Sequence, residues 1–588
     1  MEKTEDDLPA NSSDTNGNEA LDMEIVARSF HVVSDGAVFD DLLDAWYRKL
    51  FAQTKKHERK AAAGALRHHY SVLSELLDRS DPPNRLDEID RLITSIRRPA
   101  VIVSRDLRVV AANADGCHLF DVRPGSIVTA REIGHTVTEA ITRSRSWRGS
   151  FTTSMALTMG DTEKTADQLI EIRPLKTRSG NSPTFLITSV ALLWHERVST
   201  ILRDSFEMTS AEIDVCQLIL EGHDVRRIAE ERGTSRGTVR NQLQAILDKS
   251  RAGSQVQLVR LLSMISNHVS NEDGSTSEGW SDPYGREQRI SRSDGSDVCF
   301  SWIGDVGGRP AIMLHGIGCG FLFPETFDAT LKNARVKLYV PHRPGCGNAR
   351  REKSLSFADD YERTIRGLLD HLKCGRVPVM AIHASANLAL RMAAGPSNPF
   401  SSILAIRGAF IDYEEMASVV TPNRKFRLMR WATRNAPWLA EAILAVGYRQ
   451  YLAYGAEWFY REALSNQTFD LQTSLRPDIA PLLRSASSLS LAQNGNSIID
   501  EITLRDMFDA AHARNLDIPL KWLVGKENMR QFGGQIGVDW FAEASSQILA
   551  LNDLIDLVWV DHAADLMPYQ APEFVAKHLA ELLGPYVS

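Results

Sequence analysis

Residues 377–394 hold a set of side chains arranged for chemistry. Val377 to Ile382 is a continuous apolar run that reads as a buried strand, and Leu388-Ala389-Leu390-Arg391-Met392-Ala393-Ala394 reads as a helix. Between them stand His383, Ala384 and Ser385, so that small residues, Ala381 and Ser385, lie two positions either side of His383. A sharp strand-to-helix turn of this kind lifts its central side chain clear of the backbone, and the small flanking residues tolerate the tight path. A serine at the apex would be a nucleophile, given an imidazole to take its proton and an acid to orient that imidazole. Here the apex is itself an imidazole. Without a second base it cannot open a serine-type acyl transfer, so the pattern disfavours ester hydrolysis and favours binding or acid–base work.

A second set lies at 207–265. Thr209-Ser210-Ala211-Glu212 has the form of a capping box, Gly222 closes that helix, and Val225 to Glu231 makes a short second one. After the turn Gly233-Thr234-Ser235 comes a third helix, Arg236 to Lys249, whose Val239, Leu243, Ile246 and Leu247 share one face. Arg236, Arg240, Asn241 and Gln244 lie on the other. Between 226 and 260 there are eight basic side chains and three acidic ones, an excess of five that suits phosphate contact. The spacing Met208-Thr209-x-x-Glu212, Glu221-Gly222, Arg227-Ile228-Ala229, Ser235-x-x-Thr238-Val239-Arg240 and then Lys249 resembles the LuxR-type helix-turn-helix. By that resemblance the unit is a four-helix DNA-binding domain over 205–265. Arg240, Asn241 and Gln244 would face base edges, and Arg236, Thr238 and Lys249 would sit near phosphates. The last helix, with Val256, Val259, Leu262 and Met264 or Ile265, would form a dimer contact, since such proteins read paired half-sites of double-stranded DNA.

The elements that must position these groups span 588 residues, too many for one core. The chain is 43% hydrophobic and 24% charged, with a net charge of −8, which excludes a globally basic nucleic-acid binder but allows one basic patch. Its six cysteines form no CxxC pair, and its apolar runs are too short to span a bilayer. With an acidic, polar start, the chain reads as a cytoplasmic protein with reduced thiols and no membrane partner. No cofactor or metal set is legible. Residues 1–20 read as a disordered tail. Residues 21–80 form a helical region whose Phe39, Leu42, Leu43, Trp46, Leu50, Phe51, Tyr70, Leu73 and Leu77 need a partner chain or the next domain to cover them.

After the break at Asp81-Pro82-Pro83, short strands are expected at 100–103, 109–113, 168–172 and 184–190, with a polar turn at Ser104-Arg105-Asp106. This stretch, 81–200, resembles a PAS domain, an α+β unit for sensing or dimerisation. The alternative is a small α+β dimerisation domain without a ligand. The adjacent Cys117 and His118 would suit haem or redox sensing only with further ligands.

Residues 266–285, rich in Ser, Gly, Asn and Glu, read as a linker. From 286 to 588 the chain resembles an α/β-hydrolase. The resemblance rests on a strand at 311–314 entering His315-Gly316, then Val340-Pro341-His342-Arg343-Pro344-Gly345-Cys346-Gly347, the strand-to-helix turn at 381–385, and strands at 519–524 and 557–560. It implies a doubly wound sheet with a lid, here an aromatic-rich helical insertion at about 411–500 holding Tyr413, Phe426, Trp431, Trp438, Tyr448, Tyr451, Tyr454, Trp458, Phe459 and Tyr460. It also implies that the His-Gly loop supplies an oxyanion-hole N–H. The family's nucleophile, acid and base fall on His383, Asn528 (less well Glu527) and Asp565, none of which is the residue required. A shifted pair, Ser385 with His562, is the alternative, as is a hydrogen-bonded His383–Asp565 pair. The expected ligand pocket comprises His315, Gly316, Ile317, His383, Ala384 and Asp565, and the aromatic insertion suits its apolar wall. Cys319 and Cys346 would lie near its mouth. Together these features imply a transcriptional regulator whose hydrolase-fold half senses a small apolar or acyl-type molecule. The alternatives are a regulator fused to an active hydrolase of a small ester, amide or lactone, and a scaffold whose hydrolase half only recruits a partner.

Overall fold

A computed structural model of the chain describes residues 20–29, 31, 39–67, 88–96, 98–129, 133, 138, 141, 154–158, 168–175, 184–189, 194, 196–272, 280–292, 296–408, 410–411, 424–493 and 497–584. Residues 1–19 of the tail predicted at 1–20, the apolar positions Tyr70, Leu73 and Leu77, and Tyr413 lie outside them, while Ala20 already belongs to a helix.

The apolar stripe of helix α1 (Phe39–Tyr47) buries Phe39, Leu42, Leu43 and Trp46. What covers it is neither a partner chain nor the next domain in sequence. Leu428, Leu439, Ile443 and Val446, from nearly 400 residues further on, complete the cluster. Helix α2 (Glu88–Ser95) leads into an antiparallel sheet of β1 (Ala100–Ser104), β2 (Val109–Ala112), β3 (Ser154–Thr158), β4 (Gln168–Leu175) and β5 (Thr184–Ser189), in the order β2-β1-β5-β4-β3. Alternation sorts its two faces: Val101, Val103, Ile170, Ile172, Phe185 and Ile187 pack on one side, while Ala100, Ile102 and Leu186 meet Ile93 of α2 on the other. Asn113 caps the helix α3 (Ala114–Leu119) and also donates to the Ile96 and Arg98 carbonyls, which fixes the chain around the hairpin.

Helices α4 (Glu196–Phe206), α5 (Ser210–Leu220), α6 (Val225–Glu231), α7 (Arg236–Ser250) and α8 (Gln255–Glu272) form a unit with its own apolar core, drawn wholly from residues 194–265. The capping box forms at Thr209 and Glu212, and Asp224 and Ser235 cap α6 and α7. Helix α8 runs to Glu272, inside the stretch expected to be linker. The other end of that stretch is also ordered by burial, because Trp280 packs edge-on against Phe321 and His342 in the next core.

The C-terminal sheet holds β6 (Gln288–Ser291), β7 (Asp297–Gly304), β8 (Arg309–Leu314), β9 (Val336–Pro341), β10 (Val377–Ile382), β11 (Phe400–Ile406), β12 (Leu520–Gly525) and β13 (Ile555–Val560), ordered β13-β12-β11-β10-β8-β9-β7-β6. The strands from β13 to β9 are parallel, and β7 and β6 continue antiparallel. The central strand β10 is buried at every residue, as a strand covered on both faces must be. Helix α9 (Ser385–Ala394) follows it directly. Between β11 and β12 lie α10 (Arg424–Asn435), α11 (Pro437–Ala463, kinked at Gly455), α12 (Thr468–Ser474), α13 (Ala480–Leu491) and α14 (Ser497–Arg505). The aromatic residues of this insertion divide. Tyr448, Tyr451, Phe459 and Tyr460 face the sheet core, but Phe426, Trp431 and Trp438 are spent on packing the N-terminal helices. The antiparallel sheet docks on the same insertion: Asp90 accepts from Arg484 and Ser488 of α13, and Arg484 also donates to the Val110 carbonyl at 2.6 Å.

Candidate functional site

Parallel strands present their C-terminal ends on one edge, and the groups singled out between strand and helix meet there. His383 is the apex of the turn after β10, with φ +54° and its N–H bonded to the Ile406 carbonyl at 3.0 Å. The imidazole lies so close to the β8 loop that a Cβ on Gly316 would stand 2.9 Å from Nδ1, so glycine is what lets the two segments meet. On its far side His383 Nε2 is 3.0 Å from the Asp565 backbone carbonyl. The three positions expected to be triad equivalents therefore do converge, but not as a relay. The carboxylate of Asp565 turns away from His383 to Arg407 (2.6 Å) and receives the Asn528 amide. The loop carrying Asp565 is held by the buried Asp470 of α12, which accepts from the N–H groups of Asp565 (3.2 Å) and Leu566 (2.9 Å) and from Gln531 and Gln570. Burial, with Asp565 nearby, raises the Asp470 carboxyl to about 6.

The shifted pair does not form. Ser385 is fully buried and donates to the His315 carbonyl at 3.0 Å, whereas His562 is exposed to solvent. A geometry with Ser385 at the apex would need it to end the strand; instead it opens α9.

Behind the apex lies a charge pair that sequence reasoning missed. The N–H of Ala384 donates to Glu501 Oε1 at 3.0 Å, and Arg343 Nη1 donates to Glu501 Oε2 at 2.6 Å. Burial pushes the Glu501 carboxyl up, but Arg343, His383 and the Ala384 N–H outweigh it and hold the group ionised below its usual range. Arg343 is fully buried against the Phe357 ring, and its Nε and Nη2 have no acceptor among the described residues. The carboxamide oxygen of Asn528 is likewise buried and receives no donor among the described residues. His315, also fully buried, takes the Arg343 backbone N–H on Nε2 at 3.3 Å; burial beside Arg343 keeps it neutral. Ile317 is half-buried, and the next residue, Gly318, accepts from Tyr460 at 2.7 Å. Arg343 was in view, inside the Val340–Gly347 motif, but nothing nearby signals its partner. Glu501, beside Asp500 on an amphipathic helix, reads as part of a solvated face.

One Ser-His-acid row exists elsewhere: Ser301 Oγ is 3.1 Å from His342 Nε2, whose Nδ1 is 3.6 Å from Glu287. Both Ser301 and His342 are fully buried, Trp280 and Phe321 cover the imidazole, and the hydroxyl donates to Asp282, so no substrate reaches it. Burial raises the Cys319 thiol well above its ordinary value and the Cys346 thiol to about 12, and both stay protonated. The Cys117 thiol is likewise pushed to about 12.

On α7, Val239 and Ile246 are buried while Arg236, Thr238, Arg240, Asn241 and Gln244 are exposed. Gln244 leans on Asp248 at 3.0 Å, and Thr238 meets the cap Ser235. Lys249, expected near a phosphate, has partners within the unit itself. Its ammonium is taken up inside the unit by the Glu212 carboxylate (2.7 Å) and the Glu207 carbonyl (2.9 Å), because Glu212 of the capping box lies directly opposite it.

Residues 311–578 match the alpha/beta hydrolase family, and this part of the chain is an alpha/beta hydrolase family domain. Similar solved structures include an E-2-(acetamidomethylene)succinate hydrolase (15% identity, 50% of this chain and 98% of that one, TM-score 0.36) and an epoxide hydrolase (16%, 50% and 98%, 0.37). An enol-lactonase from Burkholderia xenovorans is similar at 12% identity over 50% of this chain and 99% of that one, with a TM-score of 0.36. No curated protein matches the chain. Among the described residues no helix is long and apolar enough to cross a membrane.

Proposed function

We propose that the protein is a sequence-specific transcriptional regulator of the LuxR type, acting on double-stranded DNA, with a PAS-like domain and a hydrolase-fold domain that senses a small molecule instead of hydrolysing one. The observation that carries this reading is the exposed row Arg236, Arg240 and Asn241 on a helix whose opposite face is buried. No hydrogen bond or ion pair engages those three side chains among the described residues, so all remain available to a duplex. Arginine matches the guanine edge and asparagine the adenine edge. The antiparallel sheet of β1–β5 supports the PAS-like reading, with or without a ligand of its own. Of the residues expected at a dimer contact, Leu262 is buried in the unit's own core with Val259 and Ile265 packed on it, which leaves Val256 (79% exposed) and Met264 (61%), two turns apart on α8, for a second copy in a cytoplasmic homodimer to cover.

The sensor reading of the hydrolase-fold domain follows from its groups. An imidazole occupies the apex, the nearby serine is sealed, and the Asp565 carboxylate is engaged by Arg407. Acyl transfer has no nucleophile–base pair here. Two assays test the proposal. A random-sequence duplex pool passed over the full-length chain should enrich a discrete site, and a pool unchanged after repeated rounds would remove the DNA-reading role. Short-chain aryl esters should turn over at background, and turnover abolished by Ser385→Ala would restore a hydrolase.

A further inference from the structure

The N–H that follows the apex of a strand-to-helix turn is where a developing negative charge is held in acyl transfer. In this protein that N–H already holds a negative charge of the chain's own, the Glu501 carboxylate, with Arg343 on its second oxygen. Extending the reading of this domain as a sensor, we propose that it binds small organic carboxylates at the seat formed by the Ala384 N–H and the Arg343 guanidinium, and that Glu501 is a built-in competitor which the ligand displaces.

Three features support a seat built for exchange over a purely structural pair. Arg343 is over-supplied with donors. It is fully buried, spends one short bond on Glu501 and a long one (3.5 Å) on the His315 carbonyl, and leaves Nε and Nη2 without an acceptor among the described residues. A buried guanidinium with spare donors is costly unless something else uses them. The Phe357 ring, 5.1 Å away, holds its plane in place, so the fork stays aimed if Glu501 leaves. On the other side of His383, the Asn528 carboxamide oxygen is buried and unused, ready to accept a donor carried by the ligand.

Glu501 is also placed so that its departure is felt elsewhere. It belongs to α14, in the helical insertion and not in the sheet, and α14 packs on both α9 and α10. Helix α10 in turn carries the N-terminal helix α1. Exchange of one carboxylate for another costs little charge energy at the seat, because Arg343 keeps a counter-ion throughout. What changes is the tether between α14 and the turn. A ligand then shifts the insertion by as much as its affinity for the freed state exceeds that for the held one.

The test uses the full-length chain and three probes, acetate, hexanoate and benzoate, each beside its primary amide. Calorimetric titration should find at least one carboxylate that binds wild type, binds Glu501→Gln about tenfold more tightly, and loses the preference when offered as the amide. Hydrogen exchange across 497–505 of the wild-type chain should rise when that carboxylate is bound. Circular dichroism confirms that the variant is folded, and the wild-type exchange result stands without any variant. No gain for Glu501→Gln with any carboxylate overturns the proposal, as does an equal gain for the amide. A gain in the variant with no change in wild-type exchange also overturns it, since the substitution would then have made the site. A carboxylate that frees 497–505 yet leaves DNA affinity unchanged supports the seat and overturns the sensor reading of the domain.

Discussion

The helical unit of α4 to α8 and the strand-to-helix turn of the hydrolase-fold domain both concentrate polar groups, and they treat them in opposite ways. The first is assembled from one contiguous stretch of chain, keeps an apolar core to itself, and turns Arg236, Arg240 and Asn241 outward. The second gathers His383, Asn528, Asp565, Arg407, Arg343 and Glu501 from six separate segments and engages nearly all of them with one another. The contrast bears on function. Outward groups with no internal partner are ready for an external one, while an inward network must first be opened. The proposed reader of DNA rests on the first arrangement and the proposed gated ligand site on the second.

Substitutions sharpen that contrast, and their costs should scale with how deeply each group is engaged. Arg343→Met leaves the Glu501 carboxylate buried without its counter-ion and should lower the stability of the hydrolase-fold domain by about 3–5 kcal/mol in a denaturant titration. Adding Glu501→Leu should recover most of that loss, and an equally unstable double variant would deny that the pair is a unit. Gly316→Ala pushes a methyl group against the His383 ring, 2.9 Å away, so the turn must shift at a cost of ~1–3 kcal/mol. A neutral effect would mean that the apex is loosely held. Lys249→Met removes a partly exposed pair with Glu212 and should cost only ~0.2–1 kcal/mol. Burial raises the Glu212 carboxyl, but Lys249 and the Thr209 donors leave it below its usual range. Its contribution is therefore complete above that range and lost as pH falls through the lowered folded value. The gap between wild type and Lys249→Met should close as the solution is acidified; a gap that widens would exclude the ion pair as its source.

What could be read in the sequence follows the same division. The helices between 210 and 250 were legible because their signals are local: Thr209 and Glu212 lie three residues apart, and Ser235 caps the helix that carries the exposed row. That His383, Asn528 and Asp565 come just after strands was legible too, His383 and Asp565 in turns and Asn528 in the first turn of the helix that opens directly after β12. Their pairings were not. Asp565 presents its backbone carbonyl to His383 because Arg407, at the end of another strand, takes the carboxylate. Arg343 and Glu501 are 158 positions apart, and neither residue type announces burial. Lys249 carried the right charge for a phosphate, and only the folded unit brings it onto Glu212. The aromatic insertion was expected to wall a pocket, but Phe426, Trp431 and Trp438 pack against the N-terminal helices and Tyr454 is exposed; the stripe of α1 gave no hint of a partner so distant.

The account turns on α7 reading base edges, and one titration bears on it most directly. The enriched duplex and a shuffled duplex of equal length are each titrated with wild type and Arg240→Ala, full-length, at one fixed salt concentration. The account predicts that Arg240→Ala weakens the enriched duplex by ~1–3 kcal/mol and leaves the shuffled one nearly unchanged, since a base contact is lost while phosphate contacts remain. Equal affinity of the two proteins for the enriched duplex would contradict it.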